Sequence, residues 1–482
     1  MSDLLAGLRR ILPSSAIRTR AHERAVYECD GLSIYREQPA VVVLPETEQQ
    51  VAATLALCHA RGVPIVPRGA GTGLSGGALP HKEGVLLVLS RMNRILAVDP
   101  ANRQARVQPG VRNLAISEAA APYGLFYAPD PSSQVACSIG GNIAENAGGV
   151  HCLKYGLTVH NLLALRWVDA AGEIHVSGGT GFDGPGLDLL AALTGSEGLL
   201  GIVVEATVRL LPKPACSVVL LVAFPELPAA GAAVAAIIAA GVVPAGLEVM
   251  DRLAVRAAEA YVHAGYPLDA AAILLVELDG DAGDVEDQIA AVEAACQAYA
   301  PSAFVLARDP VQRALLWAGR KAAFAAVGRL APDYYCMDGT IPRGKLAQVL
   351  AVIEQLSAHY DLPVANVFHA GDGNLHPLIL FDASKPDELA RALAFGARIL
   401  EQCLEVGGSI TGEHGVGVEK IDQMCLQFPA AVLRQFHDLK RAFDTAGILN
   451  PGKAVPTLAR CAEFGQMHVH AGELNFPAIE RF

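Results

Sequence analysis

Two histidines and an acid–histidine pair are the residues best suited to chemistry in this sequence. His369 and His376 bracket Ala370-Gly371-Asp372-Gly373-Asn374-Leu375, between the apolar runs 364–368 and 378–381. Glu413 and His414 lie in Thr411-Gly412-Glu413-His414-Gly415-Val416-Gly417, where flanking glycines let both side chains sit tightly in a site. Asp-Gly is a preferred centre for a two-residue hairpin turn. With Asp372-Gly373 at that centre, 371 faces 374, 370 faces 375 and His369 faces His376, with Cβ atoms roughly 4.5–5.5 Å apart. A turn centred on Gly373-Asn374 would spoil the pairing. Two imidazoles and a carboxylate leave coordination positions open, as catalytic metal sites require, and they suit zinc, iron or manganese alike. Any one of these histidines alone reads as a hydrogen-bonded core residue. The set points to metal binding or catalysis.

Glycine marks a second kind of site. Five of residues 67–78 are glycine, in Pro67-Arg68-Gly69-Ala70-Gly71-Thr72-Gly73-Leu74-Ser75-Gly76-Gly77-Ala78. Such a backbone lets a ligand approach closely, and its exposed N–H groups attract anions, so a phosphate cradle is expected. Residues 71–76 match GxGxxG, but a Rossmann site needs a helix to open there. The chain runs instead through Leu79-Pro80-His81 into an apolar strand at 85–89. A P-loop is excluded because no Gly-Lys-Ser/Thr follows. Further glycine stretches at 137–149, after Asp130-Pro131-Ser132-Ser133, and at 195–201 extend the expected ligand to a whole dinucleotide, touched by backbone at several points.

The elements that must position these groups can be read from the pattern. Residues 1–35 are mixed and wrap over a neighbouring unit. Ala40 to Leu44 is a buried strand ended by Pro45. Thr47 with Gln50 forms a capping-box pattern, and Val51, Leu55 and Cys58 follow at helical spacing. Ile65-Val66 is the returning strand that delivers the chain into the glycine loop. From about residue 215 the texture changes to strands near 218–222, 272–276 and 334–341, with helices near 226–240, 283–299, 310–327 and 343–359. This predicts an α+β unit with one antiparallel sheet and helices packed on one face.

The 482 residues suffice for two or three domains with real cores. A hydrophobic share of 52% with 18% charged residues marks a globular chain. A net charge of −12 argues against nucleic-acid binding. Ten cysteines without a CxxC or tight cluster make neither an iron–sulfur site nor a disulfide framework, in keeping with a reducing cytoplasm. Met1 to Arg10 shows no signal peptide, and the Ala/Gly-rich tract 229–247, broken by Pro244, is too weak for a membrane span.

Taken together, PRGAGTGLSGGA (67–78), SIGGNIAENAGG (138–149), GSEGLLGIV (195–203), LWAGRKAAF (316–324), DYYCMDGTIP (333–342), HAGDGNLHP (369–377), GEHGVG (412–417), LNPGK (449–453) and the tail from Cys461-Ala462-Glu463-Phe464-Gly465 cover nearly the whole chain. In them the chain resembles the D-lactate and D-2-hydroxyglutarate dehydrogenase family of vanillyl-alcohol-oxidase type flavoproteins, and within it the FAD-linked subunits of bacterial glycolate oxidase. The resemblance implies an N-terminal extension (1–35), a two-subdomain FAD-binding domain (36–214), an α+β substrate- and metal-binding domain with an antiparallel sheet (215–430), a segment returning to the FAD domain (431–456) and a tail (457–482).

It further implies that Pro67, Arg68, Gly69, Ala70, Gly71, Thr72, Gly73, Leu74 and Ser75 contact FAD, with 69–75 on its pyrophosphate. Ser138, Gly140, Gly141, Asn142 and Ala144 would line the flavin, with Pro131, Ser132, Gly148, Glu197, Ile202 and Asn450 as further contacts. His369, His376 and Glu413 would be metal ligands, His414 the catalytic base, and Arg320 the grip on the substrate carboxylate. No histidine in the glycine loop means noncovalent FAD. Phe324, Cys336 and Leu378, where relatives acting on dicarboxylates carry polar residues, favour a small 2-hydroxy monocarboxylate such as glycolate, oxidised by hydride transfer from C2 to flavin N5. The electrons would pass to a second flavin-binding-like subunit, an iron–sulfur subunit and quinone, with peripheral association at the membrane. A D-lactate dehydrogenase of the same family, a metal-dependent hydrolase without flavin, and an electron-transfer or scaffold subunit are the other readings.

Overall fold

In a computed structural model of the chain, the described residues are 2–179, 181 and 186–457. The tail expected to begin at 457, with its Cys461–Gly465 motif, lies outside them but for Thr457.

The helix Glu48–His59 starts where the sequence places it: Thr47 Oγ1 accepts from Gln50 N at 3.2 Å. The reciprocal half of the box is displaced by one residue, since Gln50 Oε1 accepts from Glu46 N. Val51, Leu55 and Cys58 are fully buried on its inner face. This helix connects Val41–Val43 to Ile65–Arg68, and both strands run parallel to Val85–Val88 in a four-stranded sheet. Ile17–Arg18 adds an antiparallel edge strand beside Val41–Val43. The helix Ser2–Ile11 buries Leu4 and Leu8 in the core behind that sheet. On the opposite edge, Ile65 N donates to Ile448 O and Asn450 N to Ile65 O, so the C-terminal segment returns beside the strand that feeds the glycine loop.

A second sheet is antiparallel throughout, in the order Ile95–Asp99, Gln104–Val107, Ile202–Arg209, Leu162–Val168, Ile174–Gly178. Its central strand Ile202–Arg209 alternates buried and half-buried residues, the period expected of a sheet with one covered face.

The third large sheet has seven antiparallel strands in the order Ala303–Ala307, Cys216–Phe224, Ala272–Gly280, Gly246–Asp251, Val364–His369, Asn374–Phe381, Asp333–Cys336. Here the one-face expectation fails. Val218, Leu220, Val222 and Phe224 pack into a core with the helices Leu227–Ala239, Ala282–Gln297, Leu346–Tyr360 and Pro386–Glu405. Val219, Leu221 and Ala223 pack into another with Arg252–Val262 and Pro310–Val327. Helices on both faces are the physical reason this strand is an unbroken apolar run with no alternation to read.

The hairpin carrying the two histidines also differs from expectation. His369 pairs with Asn374, Phe368 with Leu375 and Val367 with His376, so four residues, 370–373, make the connection. Gly373 N donates back to His369 O, Gly373 takes φ +84, and Asp372 Oδ1 accepts from Asn374 N. The Asp side chain closes its own turn, which moves the register by two residues. Because a shift of two preserves the face, the imidazoles still meet, with ring centroids 5.0 Å apart at 90°.

Candidate active site

A cleft of about 390 Å³ has two unlike walls. One is mostly backbone: the glycine loop, Pro131 to Ser133, the stretch around 138–147, and Ser196 to Gly198. The other is side chain: Lys321, Phe324, Ala325, His376, Glu413 and His414. No helix follows the glycine loop before Val85–Val88, so the rejection of a Rossmann site stands.

Of the residues expected to contact a dinucleotide, Pro67, Arg68, Gly69, Ala70, Gly71, Thr72, Gly73, Leu74, Pro131, Ser132, Ser138, Gly140, Gly141, Asn142, Ala144, Glu197 and Ile202 line this cleft. Three do not. Ser75 is fully buried and its carbonyl accepts from Val418 N and Glu419 N. Gly148 lies on the far side of Glu413, donating its N–H to Glu413 Oε2 at 3.1 Å. Asn450 is buried and its amide donates to the carbonyls of Gly77 and Glu197, bracing the cradle from behind. At Gly73 the cradle leaves room for a bound cofactor. A Cβ on Gly73 would have Asp30 Oδ2, 4.0 Å away, as its nearest neighbour, so any side chain there would project into open space.

On the opposite wall, His369 Nδ1 lies 2.8 Å from Glu248 Oε1 and His376 Nδ1 lies 3.1 Å from the Met337 carbonyl. Each Nδ1–H donates there, which turns both Nε2 lone pairs toward Glu413 Oε1, at 3.3 and 3.0 Å. Three electron-rich atoms this close are stable only around positive charge. Burial opposes charge on both rings, yet Glu248 and Glu413 raise His369 well above the usual imidazole range. His376 is pushed up to about 10 against its burial by Cys336 and Glu413. Glu413 itself is held well below the carboxylate range, again against burial, by the two imidazoles. Ligands about 2.0–2.2 Å from a zinc-type ion lie about 3–3.5 Å from one another, so the donor set and its spacing fit a divalent cation.

His414 stacks on His376, centroids 5.0 Å apart and 12° from parallel. Burial pulls its imidazole down to about 4, so it is neutral at pH 7, and its Nδ1 is buried without a hydrogen-bond partner. The loop bearing Glu413 and His414 is pinned by two buried carboxylates. Asp338 accepts from the backbone N–H of Gly412, Glu413 and His414, from Thr411 Oγ1 and from Lys420 Nζ. Glu197, from the glycine-cradle side, accepts from Val416 N and Gly417 N at 2.7 and 2.8 Å.

Two expectations about side chains need correction. Arg320 does not reach the cleft: it is 1% exposed, with Nε and Nη2 at 2.8 and 2.6 Å from Glu248 Oε2. A guanidinium so buried needs a charge partner, and Glu248, fully buried between Arg320 and His369, is that partner. Cys336 and Leu378 are also buried, paired across strands, and of the expected apolar wall only Phe324 faces the cleft. Sequence reasoning missed Glu248, Asp338 and Lys420, and also Glu145, which lines the cleft. The available signals were a charged residue in the apolar strand Gly246–Asp251, and Asp338 inside a motif already noted for its neighbours.

Residues 39–178 match the family model described as FAD binding domain, and 213–454 match FAD linked oxidases, C-terminal domain. Glycolate oxidase subunit GlcD of Escherichia coli strain K12 is 60% identical over 481 residues, 100% of this chain and 96% of that protein. The chain belongs to the FAD-linked oxidases. It is thus an FAD-dependent oxidoreductase, and the stretch matched as FAD binding domain contains the glycine loop 67–78 and the 138–149 stretch. A D-lactate dehydrogenase of Anaerostipes hadrus is 34% identical, covering 88% of this chain and 91% of its own. The 4-ethylphenol oxidase of Gulosibacter chungangensis shares the fold, with a TM-score of 0.79 at 18% identity over 95% of this chain and 98% of that one. Among the described residues of the present chain no helix is long and apolar enough to cross a membrane.

Proposed function

We propose that this chain oxidises a small 2-hydroxy monocarboxylate, glycolate to glyoxylate. One observation carries the reading: a dinucleotide-sized glycine cradle and a histidine–carboxylate cluster line the same cleft. The 60% identity to the Escherichia coli glycolate oxidase subunit supports the choice of substrate. Residues 36–214 serve as the FAD-binding unit and 215–430 as the substrate unit.

When bound, FAD supplies the acceptor for the C2 hydride. Its attachment is noncovalent, since residues 67–78 contain no histidine and the histidines on the cleft wall belong to the cluster. His369, His376 and Glu413 would hold a divalent cation, zinc, iron or manganese, whose Lewis acidity lowers the pKa of an alcohol. The protein's own part is positioning and proton transfer. Neutral His414 accepts the proton of the C2 hydroxyl. Loss of that proton from oxygen and of hydride from C2 converts the alcohol to a carbonyl, leaving a 2-oxo acid. Glu248 fixes His369 in the tautomer that turns Nε2 inward, and Arg320 holds Glu248. Asp338 and Glu197 fix the loop of Glu413 and His414 from both sides, so proximity is built before substrate arrives.

The apolar wall of Phe324 and Ala325 favours a short monocarboxylate over a dicarboxylate. D-Lactate, one methyl larger, is the second reading, raised by the D-lactate dehydrogenase relative at 34% identity against 60% for the glycolate oxidase subunit. Electrons leave through partner subunits, a second flavin-binding-like chain and an iron–sulfur chain, toward quinone at the membrane surface. This rests on the relative being a subunit and on the absence of an iron–sulfur ligand pattern in this sequence.

The test is anaerobic mixing of the purified yellow protein with a panel of 2-hydroxy acids. Glycolate should bleach the flavin fastest, with D-lactate slower and L-lactate slowest. Bleaching by none of them would remove the reading, and a D-lactate rate above that of glycolate would replace it with the second.

A further inference from the structure

We propose that His151 is a positioning residue that sets the backbone wall of the cleft against the side-chain wall by clasping Asp130 to Glu277, an inference that rests on the oxidation proposed above. The two carboxylates belong to different units, Asp130 to 36–214 and Glu277 to 215–430. His151 Nδ1 lies 2.8 Å from Asp130 Oδ2, and its Nε2 lies 3.3 Å from Glu277 Oε2. Ionised carboxylates only accept, so the ring makes both bonds only as an imidazolium, which donates from both nitrogens. Burial opposes that charge, yet Asp130 and Glu277 hold the ring well above the usual imidazole range. The backbone N–H of His151 donates to Asp130 Oδ1 at 3.2 Å, so one residue engages both oxygens of that carboxylate.

Each end of the clasp leads to one wall. Asp130 directly precedes Pro131, Ser132 and Ser133, which line the cleft. Glu277 lies on the strand Ala272–Gly280 opposite Gly246, and Glu248, two residues further on, pairs with Leu275. Residues two apart on a strand share a face. Glu277 therefore stands on the face that carries Glu248, the partner of His369 and Arg320. Ser217 Oγ donates to Glu277 Oε1 at 2.8 Å and fixes that carboxylate. The His151 ring also meets Trp317, with centroids 6.2 Å apart. Trp317 is three residues before Arg320 on Pro310–Val327, the helix that presents Phe324 to the cleft. A second contact joins the same units: Lys154 Nζ donates to the Asp279 carbonyl at 2.7 Å, and Tyr155 OH donates to Asp279 Oδ2 at 2.6 Å. Of these three junction residues, only His151 also bonds the segment that enters the cleft wall. It does not itself line the cleft, so its effect on the reaction passes through placement.

The experiment uses the full-length flavoprotein, loaded with FAD and a divalent cation, and follows flavin bleaching in a single anaerobic turnover at saturating glycolate. A first-order rate constant does not depend on the fraction of protein that is folded, so loss of stability alone leaves it unmoved. Misplacement by about 1 Å, caused far from the chemistry, can cost about 100-fold in rate. His151→Ala should lower the rate constant by roughly 10- to 100-fold. Flavin and metal stoichiometry should stay those of the parent, since neither wall is altered. His151→Gln combined with Glu277→Gln keeps the net charge and a hydrogen bond across the junction, and should recover most of the loss. Backbone amide exchange across 130–133 should quicken in His151→Ala and slow again in the double variant. An unchanged rate constant in His151→Ala would overturn the proposal, as would a double variant as slow as the single one. Loss of FAD from His151→Ala would also overturn it, by making the residue a support of the cradle alone. If no 2-hydroxy acid bleaches the parent, the functional reading has failed first. Amide exchange across 130–133 still reports the clasp in that case, and the two failures are told apart.

Discussion

The two walls of the cleft are built on opposite principles. The cradle at 67–78 and 138–149 offers mostly backbone, since seven of residues 67–78 are glycine or alanine. The cluster at 369, 376, 413 and 414 offers side chains set by further buried groups: Glu248 bonds the His369 ring, the Met337 carbonyl bonds the His376 ring, and Asp338 bonds the backbone of the 412–414 loop. A backbone site needs little support beyond the fold, because the peptide groups cannot rotate out of place. A side-chain site must fix every rotamer and compensate every buried charge, so its stabilising partners are as demanding as the ligands themselves. The two halves of one active centre should therefore fail differently.

The largest effect belongs to the cluster. Replacing His414 by Ala should reduce kcat by roughly 10²–10⁴-fold, the range for a lost general base, while the flavin content stays that of the parent. Turnover and bound FAD measured on the same preparation decide this. A colourless His414→Ala protein would show that the two walls are not independent. The converse change is Gly73→Val, in a loop where the new side chain would enter the cofactor's space. It should yield folded, colourless protein that still binds one divalent cation by equilibrium dialysis. Retention of flavin at parental stoichiometry would argue against the cradle.

The same contrast explains how much could be read from sequence. Glycine leaves a direct trace, because only it permits the close approach, and the cradle was legible down to single residues. Its misses are the positions where the backbone faces elsewhere, Ser75, Gly148 and Asn450. The clustered side chains His369, His376 and Glu413 were also legible, as histidines and an acid among glycines. Their supports were not. Glu248 lies 121 residues from His369 and 72 from Arg320, so no local pattern links them. The hairpin register failed for a related reason: Asp372 accepts from Asn374 N and closes a longer turn than Asp-Gly alone implies. Helices on both faces of the seven-stranded sheet erased the alternation that would have reported its burial.

A support can be removed while every ligand is kept. Glu248→Gln leaves Arg320 buried without a counter-charge and weakens the hold on His369 Nδ1. It should cost about 3–5 kcal/mol of stability, the scale for breaking a buried pair, and should weaken metal binding by about 10–100-fold. Denaturant melts and metal titration measure the two separately. The pairing of Glu248→Leu with Arg320→Met should recover stability, since an apolar pair replaces the ion pair, yet should not recover metal affinity. Recovery of both would mean that His369 needs no orienting partner.

The smallest effect is expected on the cradle. Ser138 caps the short helix Ile139–Glu145, its Oγ accepting from Gly141 N at 3.4 Å, a long and weak contact. Ser138→Ala should cost about 0.5–1 kcal/mol as a lost cap and shift the FAD dissociation constant by less than about fivefold, because 1.4 kcal/mol corresponds to tenfold. If instead this one hydroxyl proves worth as much as Glu248, measured by flavin release on dilution, then the cradle also depends on side chains, and the division of the active centre into a backbone wall and a side-chain wall is wrong.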